Sequence, residues 1–221
     1  MTRETSLLST QLQHYLLDVG IREPSILKNL RLETESDEMS RMQISPEQGQ
    51  FMSMLTNLIQ PGRILEIGTY TGYSSLCMAL NTSKDSVLYT CDQEPKWTDV
   101  AQRYWREAGV DHKIKLMLGD AKETMRRLIT EFGEASFDMI FIDADKENYP
   151  EYLSLAKRLL RIRGVMLIDN VFWKGSVLDS GDNTEATLGV RELNQTLHND
   201  ADFQISMLPI SDGLTLALKL N

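Results

Sequence analysis

Cysteine and histidine are scarce in this chain, with two of the first and three of the second among 221 residues. Cys77 and Cys91 each sit in an apolar run and cannot frame a protein of this length with disulfides, so buried reduced thiols and a cytoplasmic location are expected. His14, His112 and His198 stand away from the acidic strand ends described below, which argues against zinc. No apolar stretch approaches the ~18–20 residues that span a bilayer. The first twenty residues lack the apolar core and small-residue cleavage site of a signal peptide. Positive charge is in deficit: 23 Lys and Arg against 32 Asp and Glu leave a net charge of -9. That sign argues against nucleic acid and anionic membrane as partners. Internal repeats, low-complexity tracts and linkers are absent. A hydrophobic content of 42% suffices to bury a sizeable core. One domain is expected over residues 1–221, with 1–60 as a helical cover and 61–221 as the core.

The cover reads as three helices. Leu8, Leu12, Tyr15, Leu16 and Val19 recur at helical spacing, as do Ile26, Leu27, Leu30 and Leu32. The third opens with Ser45 as N-cap, Pro46 at the first helical position and Gln48 three residues after the cap, and it ends at Pro61-Gly62. From Arg63 short apolar runs alternate with longer amphipathic ones. The runs are RILEIG, SVLYTCD, IKLMLGD, FDMIFID and GVMLIDN; helices are expected at Thr71–Leu80, Glu94–Ala108, Ala121–Phe132 and Tyr149–Leu160. Such alternation implies a parallel sheet covered by helices on both faces. Leu178 to Leu193 reads as a mobile polar segment before a last helix. Residues 201–220 read as two antiparallel strands around a Ser-Asp-Gly turn.

The strand runs end in acid. Asp92, Asp120, Asp143 and Asp169 with Asn170 close four of them, and Glu66 lies near the end of the first. In open α/β sheets ligands bind outside the carboxyl edge, so five such residues on one edge point to a site. The turn LEIGTYTGYSSL brings Gly68 and Gly72 close to a ligand. It is not the dinucleotide fingerprint, because Glu66 stands where the first glycine belongs. A pyrophosphate there would meet a carboxylate; a phosphate-free ligand with hydroxyls and an ammonium, such as S-adenosylmethionine, would be welcomed. Asp92 is where an acid can accept hydrogen bonds from ribose hydroxyls.

At these motifs the sequence resembles the metal-dependent class I O-methyltransferases of the caffeoyl-CoA and catechol O-methyltransferase family. The likeness runs through MQISPEQGQFM, LEIGTYTGYSSL, CDQEP, LGDA, DMIFIDADKENY, LIDNVFWKGSV and DGLTLALK. It implies a Rossmann-like fold, a mostly parallel seven-stranded sheet closed by an antiparallel C-terminal hairpin. It implies an S-adenosylmethionine pocket lined by Met42, Ile44, Glu66, Gly68, Thr69, Ser74, Asp92, Ala121, Asp143 and Asp145. It implies a divalent cation on Asp143, Asp169 and Asn170, Trp173 and Lys174 beside the acceptor, and a homodimer. Two carboxylates and a carboxamide are hard oxygen donors, suited to Mg²⁺ first and to Ca²⁺ or Mn²⁺ as alternatives. A cation with open positions would take both hydroxyls of a small phenolic vicinal diol. Lys146, whose ammonium would be destabilised beside that cation, is expected to serve as general base; the plainer reading pairs it with Asp145 or Glu147 in a solvated loop.

Two departures from the family stand out. Arg163-Gly164 stands where relatives often have paired glycines and leaves Asp169 in place; Lys174 stands where plant members usually carry asparagine, so the acceptor is not inferred from plant enzymes. FIDADK also resembles the D-x-D nucleophile motif of haloacid-dehalogenase-like phosphatases. Those carry it on their first strand, whereas here it follows a glycine turn and a ribose-type aspartate, on the fourth. A non-catalytic binding module is the third reading, and intact Asp143, Lys146, Asp169 and Asn170 argue against it.

Overall fold

The computed structural model describes residues 9–221. Three helices come first: α1 (Thr10–Gly20), α2 (Ser25–Thr34) and α3 (Pro46–Ile59). Strands and helices then alternate through β1 (Arg63–Ile67), α4 (Tyr73–Ala79), β2 (Val87–Asp92), α5 (Pro95–Glu107), β3 (Ile114–Leu118), α6 (Ala121–Phe132), β4 (Phe137–Ile142), α7 (Tyr149–Leu159) and β5 (Leu160–Asp169). The chain closes with α8 (Glu185–Asn199), β6 (Phe203–Leu208) and β7 (Leu214–Lys219). Leu8, expected to begin the first helical stripe, lies outside the described residues.

The seven strands order as β3-β2-β1-β4-β5-β7-β6. β1 to β5 run parallel, while β7 is antiparallel to both β5 and β6. This is the Rossmann-like architecture expected from the sequence. The central strands read as unbroken apolar runs because both faces are covered. On one face Met125 and Leu128 of α6, Tyr149 and Tyr152 of α7, and Val190 and Leu193 of α8 pack on Ile140, Ile142 and Ile168. On the other, Leu27 and Leu30 of α2, Met52 of α3, Leu76 of α4 and Trp105 of α5 pack on Ile64, Met139 and Phe141. Each such side chain contributes roughly 1.5–3 kcal/mol on burial. An exposed ion pair such as Arg158–Glu134 contributes about 0–1 kcal/mol, so the core decides the fold.

Two elements differ from the sequence reading. The segment 178–193 is loop only as far as Thr184, whose hydroxyl accepts the Thr187 N–H and starts α8. Thr187, Gly189, Val190, Leu193 and Leu197 form the buried stripe of that helix, so packing fixes what the polar composition suggested was mobile. β5 also begins four residues early, at Leu160, and passes through Arg163 at φ 64. A glycine would adopt that left-handed conformation without steric cost, whereas arginine does so under strain. α1 buries none of its residues: Leu12, Tyr15 and Val19 are all exposed. Among the described residues no helix is long and apolar enough to cross a membrane. Cys77 and Cys91 are buried and unpaired, and burial raises both thiols well above their ordinary value.

Candidate active site

Strand register builds the site. Cys91, Ile67, Ile142 and Ile168 are aligned across β2, β1, β4 and β5. The next residue of each strand therefore forms a second row: Asp92, Gly68, Asp143 and Asp169. Neighbouring strands lie about 4.8 Å apart, so the carboxylates of Asp143 and Asp169 are held side by side. The row sits where β1 separates the half of the sheet built from β2 and β3 from the half built from β4 and β5. Ligands of doubly wound sheets bind at such a reversal of strand order. The cleft above it encloses about 970 Å³.

Nearly all the residues proposed from sequence line this one cleft. Met42, Ile44, Gly68, Thr69, Ser74, Asp92, Ala121 and Asp145 are there, together with Asp143, Lys146, Asp169, Asn170, Trp173 and Lys174. Glu66 is the exception. It is 0% exposed, beneath the floor, where its carboxylate accepts the Ser74 and Thr90 hydroxyls at 2.6 Å each. It steadies Ser74 rather than facing the cavity. Asp120 also stays out: its carboxylate caps α6 by accepting the Lys122 and Glu123 N–H groups.

Asp92 is engaged on every side. Oδ2 accepts the Thr69 and Tyr70 N–H groups at 3.1 and 2.8 Å, and Oδ1 those of Gln93 and Glu94 at 2.7 and 2.9 Å. These four donors occupy the roughly four lone-pair directions of a carboxylate. Asp92 thus ties the glycine turn to the β2–α5 turn, and a ribose hydroxyl bound there must share or displace one of those bonds. Beyond it, Tyr70 meets Trp97 edge to face at 5.0 Å to wall that end of the cleft.

The opposite end holds the acid pair. Asp169 is 3% exposed, and its carboxyl is pushed up first by burial and then by neighbouring Asp143. The Gln48 amide, the Asn170 N–H and Lys146 act the other way. Lys146 is itself 7% exposed, not solvated. Its Nζ donates to Asp143 Oδ1 at 3.0 Å and to the Ala144 carbonyl at 2.9 Å, over the rings of Tyr149 and Trp173. Asp145 and Glu147, its alternative partners in the sequence reading, do not bond it; Asp145 accepts the Tyr152 hydroxyl instead. Asn170 at φ 56 turns the chain out of β5, a conformation asparagine tolerates.

Among the described residues no group of three or more His, Cys, Asp or Glu side chains gathers as a metal cluster. The oxygen donors here are two carboxylates with the Asn170 carboxamide beside them. One buried ammonium against two abutting carboxylates leaves negative charge uncompensated, and this donor set fits a hard divalent cation.

The loop after β5 is braced from a distance. Val171 N–H donates to the Gly213 carbonyl, Phe172 N–H to the Asp212 carbonyl, and Lys174 N–H to Asp212 Oδ1 at 2.7 Å. Trp173 and Lys174 both carry positive φ under that bracing. Arg41, Tyr70, Trp97, Ser211 and Asp212 line the cleft as well, though the sequence reading did not select them. Arg41 arrives on a short 3-10 turn and Ser211 and Asp212 on the β6–β7 turn, so no local signal ties them to the strand ends.

Glu66 has a measurable signature. Burial raises its carboxyl from 4.5 to about 8, opposed by Ser74 and Thr90 and reinforced by Asp143 and Asp92. An acid whose folded pKa exceeds its unfolded value favours folding fully below the unfolded value and loses that contribution as pH rises to the folded one. Glu66→Gln keeps the shape and removes the titration. In thermal melts without ligand, the variant is expected to gain on the wild type as pH rises from about 5 to about 9. A difference independent of pH would return the carboxyl to its ordinary range.

Known proteins share this fold. A profile of the O-methyltransferase family matches residues 18–220. A probable caffeoyl-CoA O-methyltransferase of Dictyostelium discoideum is 36% identical over 210 residues, covering 94% of this chain and 91% of the relative. The crystal structure of the O-methyltransferase TomG from Streptomyces achromogenes, in complex with S-adenosylmethionine, superposes with a TM-score of 0.87 at 31% identity, over 96% of each chain. An O-methyltransferase from Bacillus cereus in complex with S-adenosylhomocysteine superposes with a TM-score of 0.86 at 28% identity, over 95% of this chain and 98% of that one. The chain belongs to the O-methyltransferase family, as an S-adenosylmethionine-dependent enzyme of the caffeoyl-CoA O-methyltransferase type.

Proposed function

We propose that the enzyme methylates one hydroxyl of a small phenolic vicinal diol, with a divalent cation held by Asp143, Asp169 and Asn170. Mg²⁺ is the first choice for that ion, with Ca²⁺ or Mn²⁺ as alternatives. The observation that carries the reading is the row Asp92–Gly68–Asp143–Asp169, which sets a carboxylate pair beside a cleft large enough for two ligands. When bound, the cation supplies Lewis-acid charge at the two acceptor oxygens. S-adenosylmethionine supplies a methyl group already activated on a sulfonium sulfur.

The chain's own residues do the rest. Gly68 and Thr69 let the backbone approach the methyl donor, Asp92 orders the turns around it, and Ser74, held by Glu66, offers a hydroxyl to it. Lys146 is aimed by its bonds to Asp143 and Ala144, and in its neutral form it receives the acceptor's proton at Nζ. Trp173 and Lys174 border the acceptor. Holding both reactants in one enclosed cleft makes the displacement effectively intramolecular, where positioning supplies much of the rate. A homodimer using α1 in its surface belongs to the same proposal, supported by exposed Leu12, Tyr15 and Val19. A monomer by light scattering would retire that part. A cytoplasmic location is likewise proposed, in keeping with two unpaired buried thiols.

The test is a methyl-transfer screen over phenolic vicinal diols and matched monophenols, with and without chelator, beside calorimetry with S-adenosylhomocysteine. Diols are expected to turn over, chelator to stop them and added Mg²⁺ to restore them. Equal turnover of monophenols in chelator would sink the cation reading, and absence of S-adenosylhomocysteine binding would sink the donor site.

A further inference from the structure

The guanidinium of Arg191, half-buried on α8, is bonded to backbone carbonyls and to no carboxylate among the described residues. Nε donates to the Val177 carbonyl at 3.1 Å, and one terminal nitrogen to the Asp182 carbonyl at 2.8 Å. The other terminal nitrogen donates to the Ser176 carbonyl at 2.8 Å and to the Asp179 carbonyl. Only a planar fork reaches several acceptors in fixed directions; a lysine would offer one point charge. The gathered segment has little core of its own, since Leu178, Asp179 and Ser180 are exposed. Its side chains mostly bond one another. Asp179 Oδ1 accepts the Gly181 N–H at 2.9 Å, and Asp182 accepts the Thr184 and Thr187 hydroxyls at 2.8 and 2.9 Å. Those bonds close the loop on itself, whereas Arg191 ties it to α8.

That tie reaches the cleft by a short covalent route. Ser176 and Val177 belong to the same turn as Trp173 and Lys174, Trp173–Leu178. Within it Lys174 and Gly175 have φ 50 and 86, and a lysine keeps such a conformation only where its surroundings impose it. The front of the turn is held by the Lys174 N–H on Asp212 Oδ1, and the rear by Arg191. Trp173 lines the cleft, and its ring centre lies 5.7 Å from Lys146 Nζ. α8 also abuts Lys146 directly, through Gly189. We infer that Arg191 is a positioning residue for the methyl acceptor: by drawing the carbonyls of residues 176–182 onto α8, it fixes the turn that presents Trp173, with Lys174 beside it. The inference rests on the reading of Trp173 as the acceptor's border. It gives Arg191 no contact with either substrate or with a cation.

The experiment compares Arg191→Met and Arg191→Lys with the wild type, in methylation of catechol by S-adenosylmethionine with Mg²⁺. Methionine removes every donor, and lysine keeps the charge without the fork. Both variants are expected to lose about 10–100-fold in kcat/KM for catechol, the scale of a small misplacement of a bound reactant. Their S-adenosylhomocysteine Kd, read by calorimetry, is expected to stay within about twofold. Arg191→Lys with wild-type kcat/KM would make charge the cause and overturn the inference. In a Trp173→Ala background Arg191→Met is expected to cost less than about threefold, because the ring it presents is already gone. Losses that simply multiply overturn the inference. A readout independent of turnover is trypsin cleavage after Lys174, followed by mass spectrometry. In Arg191→Met that cut is expected to accelerate more than cuts elsewhere in the chain, since the opening is local; an equal acceleration everywhere, or none, means a merely structural role and overturns the inference. Should Arg191→Met fail to fold, Arg191→Lys carries the same readouts. Wild-type protein inert toward catechol overturns the small-diol reading and this inference with it. Wild-type turnover matched by both variants overturns the role of Arg191 alone.

Discussion

Asp169→Ala is expected to lower methyl transfer by about 1,000-fold or more, since a catalytic cation supplies several kcal/mol and about 4 kcal/mol corresponds to three decades of rate. S-adenosylhomocysteine affinity is expected to change by less than about threefold, because the donor turn is held by Gly68 and Asp92, two and three strands away. The folded protein has no reason to suffer. Asp169 is buried against Asp143, and its carboxyl is raised above the unfolded value of 3.8. Its contribution to folding is therefore fully present only below that value and declines as pH rises through the shifted range. The alanine variant loses that decline, so its melts are expected to fall less steeply with pH. Steady-state rates with and without chelator, beside calorimetry, check the claim. Cation-dependent turnover surviving in the variant, or a loss traced to donor affinity, would remove Asp169 from the metal site.

Gly68→Ala is expected to be the most damaging single methyl group in the molecule. Gly68 has φ 98, and a Cβ there would lie 1.9 Å from the Asp143 carbonyl oxygen. The left-handed region costs a non-glycine residue roughly 1–2 kcal/mol on its own. The overlap is the larger effect, because the colliding atom is backbone and no rotamer change relieves it. β1 and β4 are locked there by the Asp143 N–H to Ile67 carbonyl bond of 2.8 Å, so relief means parting them at the site. A loss of about 3–5 kcal/mol follows, or roughly 6–20 °C in Tm for a chain of this size. Cation and donor affinities are expected to fall together, because both flank that junction. Gly133→Ala is the control: it also has positive φ, at 81, but nothing lies within 4 Å of its Cβ. A Gly68 variant melting no lower than the Gly133 variant would show that the strands part at little cost.

The sequence made the strand ends legible because a strand buried on both faces cannot carry charge until it leaves the sheet. Asp92, Asp143, Asp169 and Asn170 were therefore conspicuous. Whether such a residue faces the cavity is decided by neighbours the chain order does not name. Glu66 looked equivalent to the others, yet it precedes the row by two residues and points at hydroxyls on α4 and β2. Asp120 looked equivalent too, but the first turn of α6 takes its oxygens. The coupling of Asp143 to Asp169 comes from register, which exists only once β4 and β5 pair. The start of α8 is polar and glycine-bearing, and so resembles a loop in sequence. Gly189 is there for closeness: a Cβ would lie 2.3 Å from the Lys146 carbonyl oxygen. For Gln48, the spacing favours an outward cap, yet the side chain is buried.

The Ser211–Gly213 turn lies about forty residues downstream of the strand end it braces, and three of its contacts run to backbone N–H groups of residues 171–174. The far tip of the terminal hairpin and the proposed acceptor rim are in effect one piece of architecture, while the methyl-donor half is anchored to separate strands. Substitutions at the hairpin tip are accordingly expected to shift the proposed acceptor rim while leaving the glycine turn and Asp92 in place.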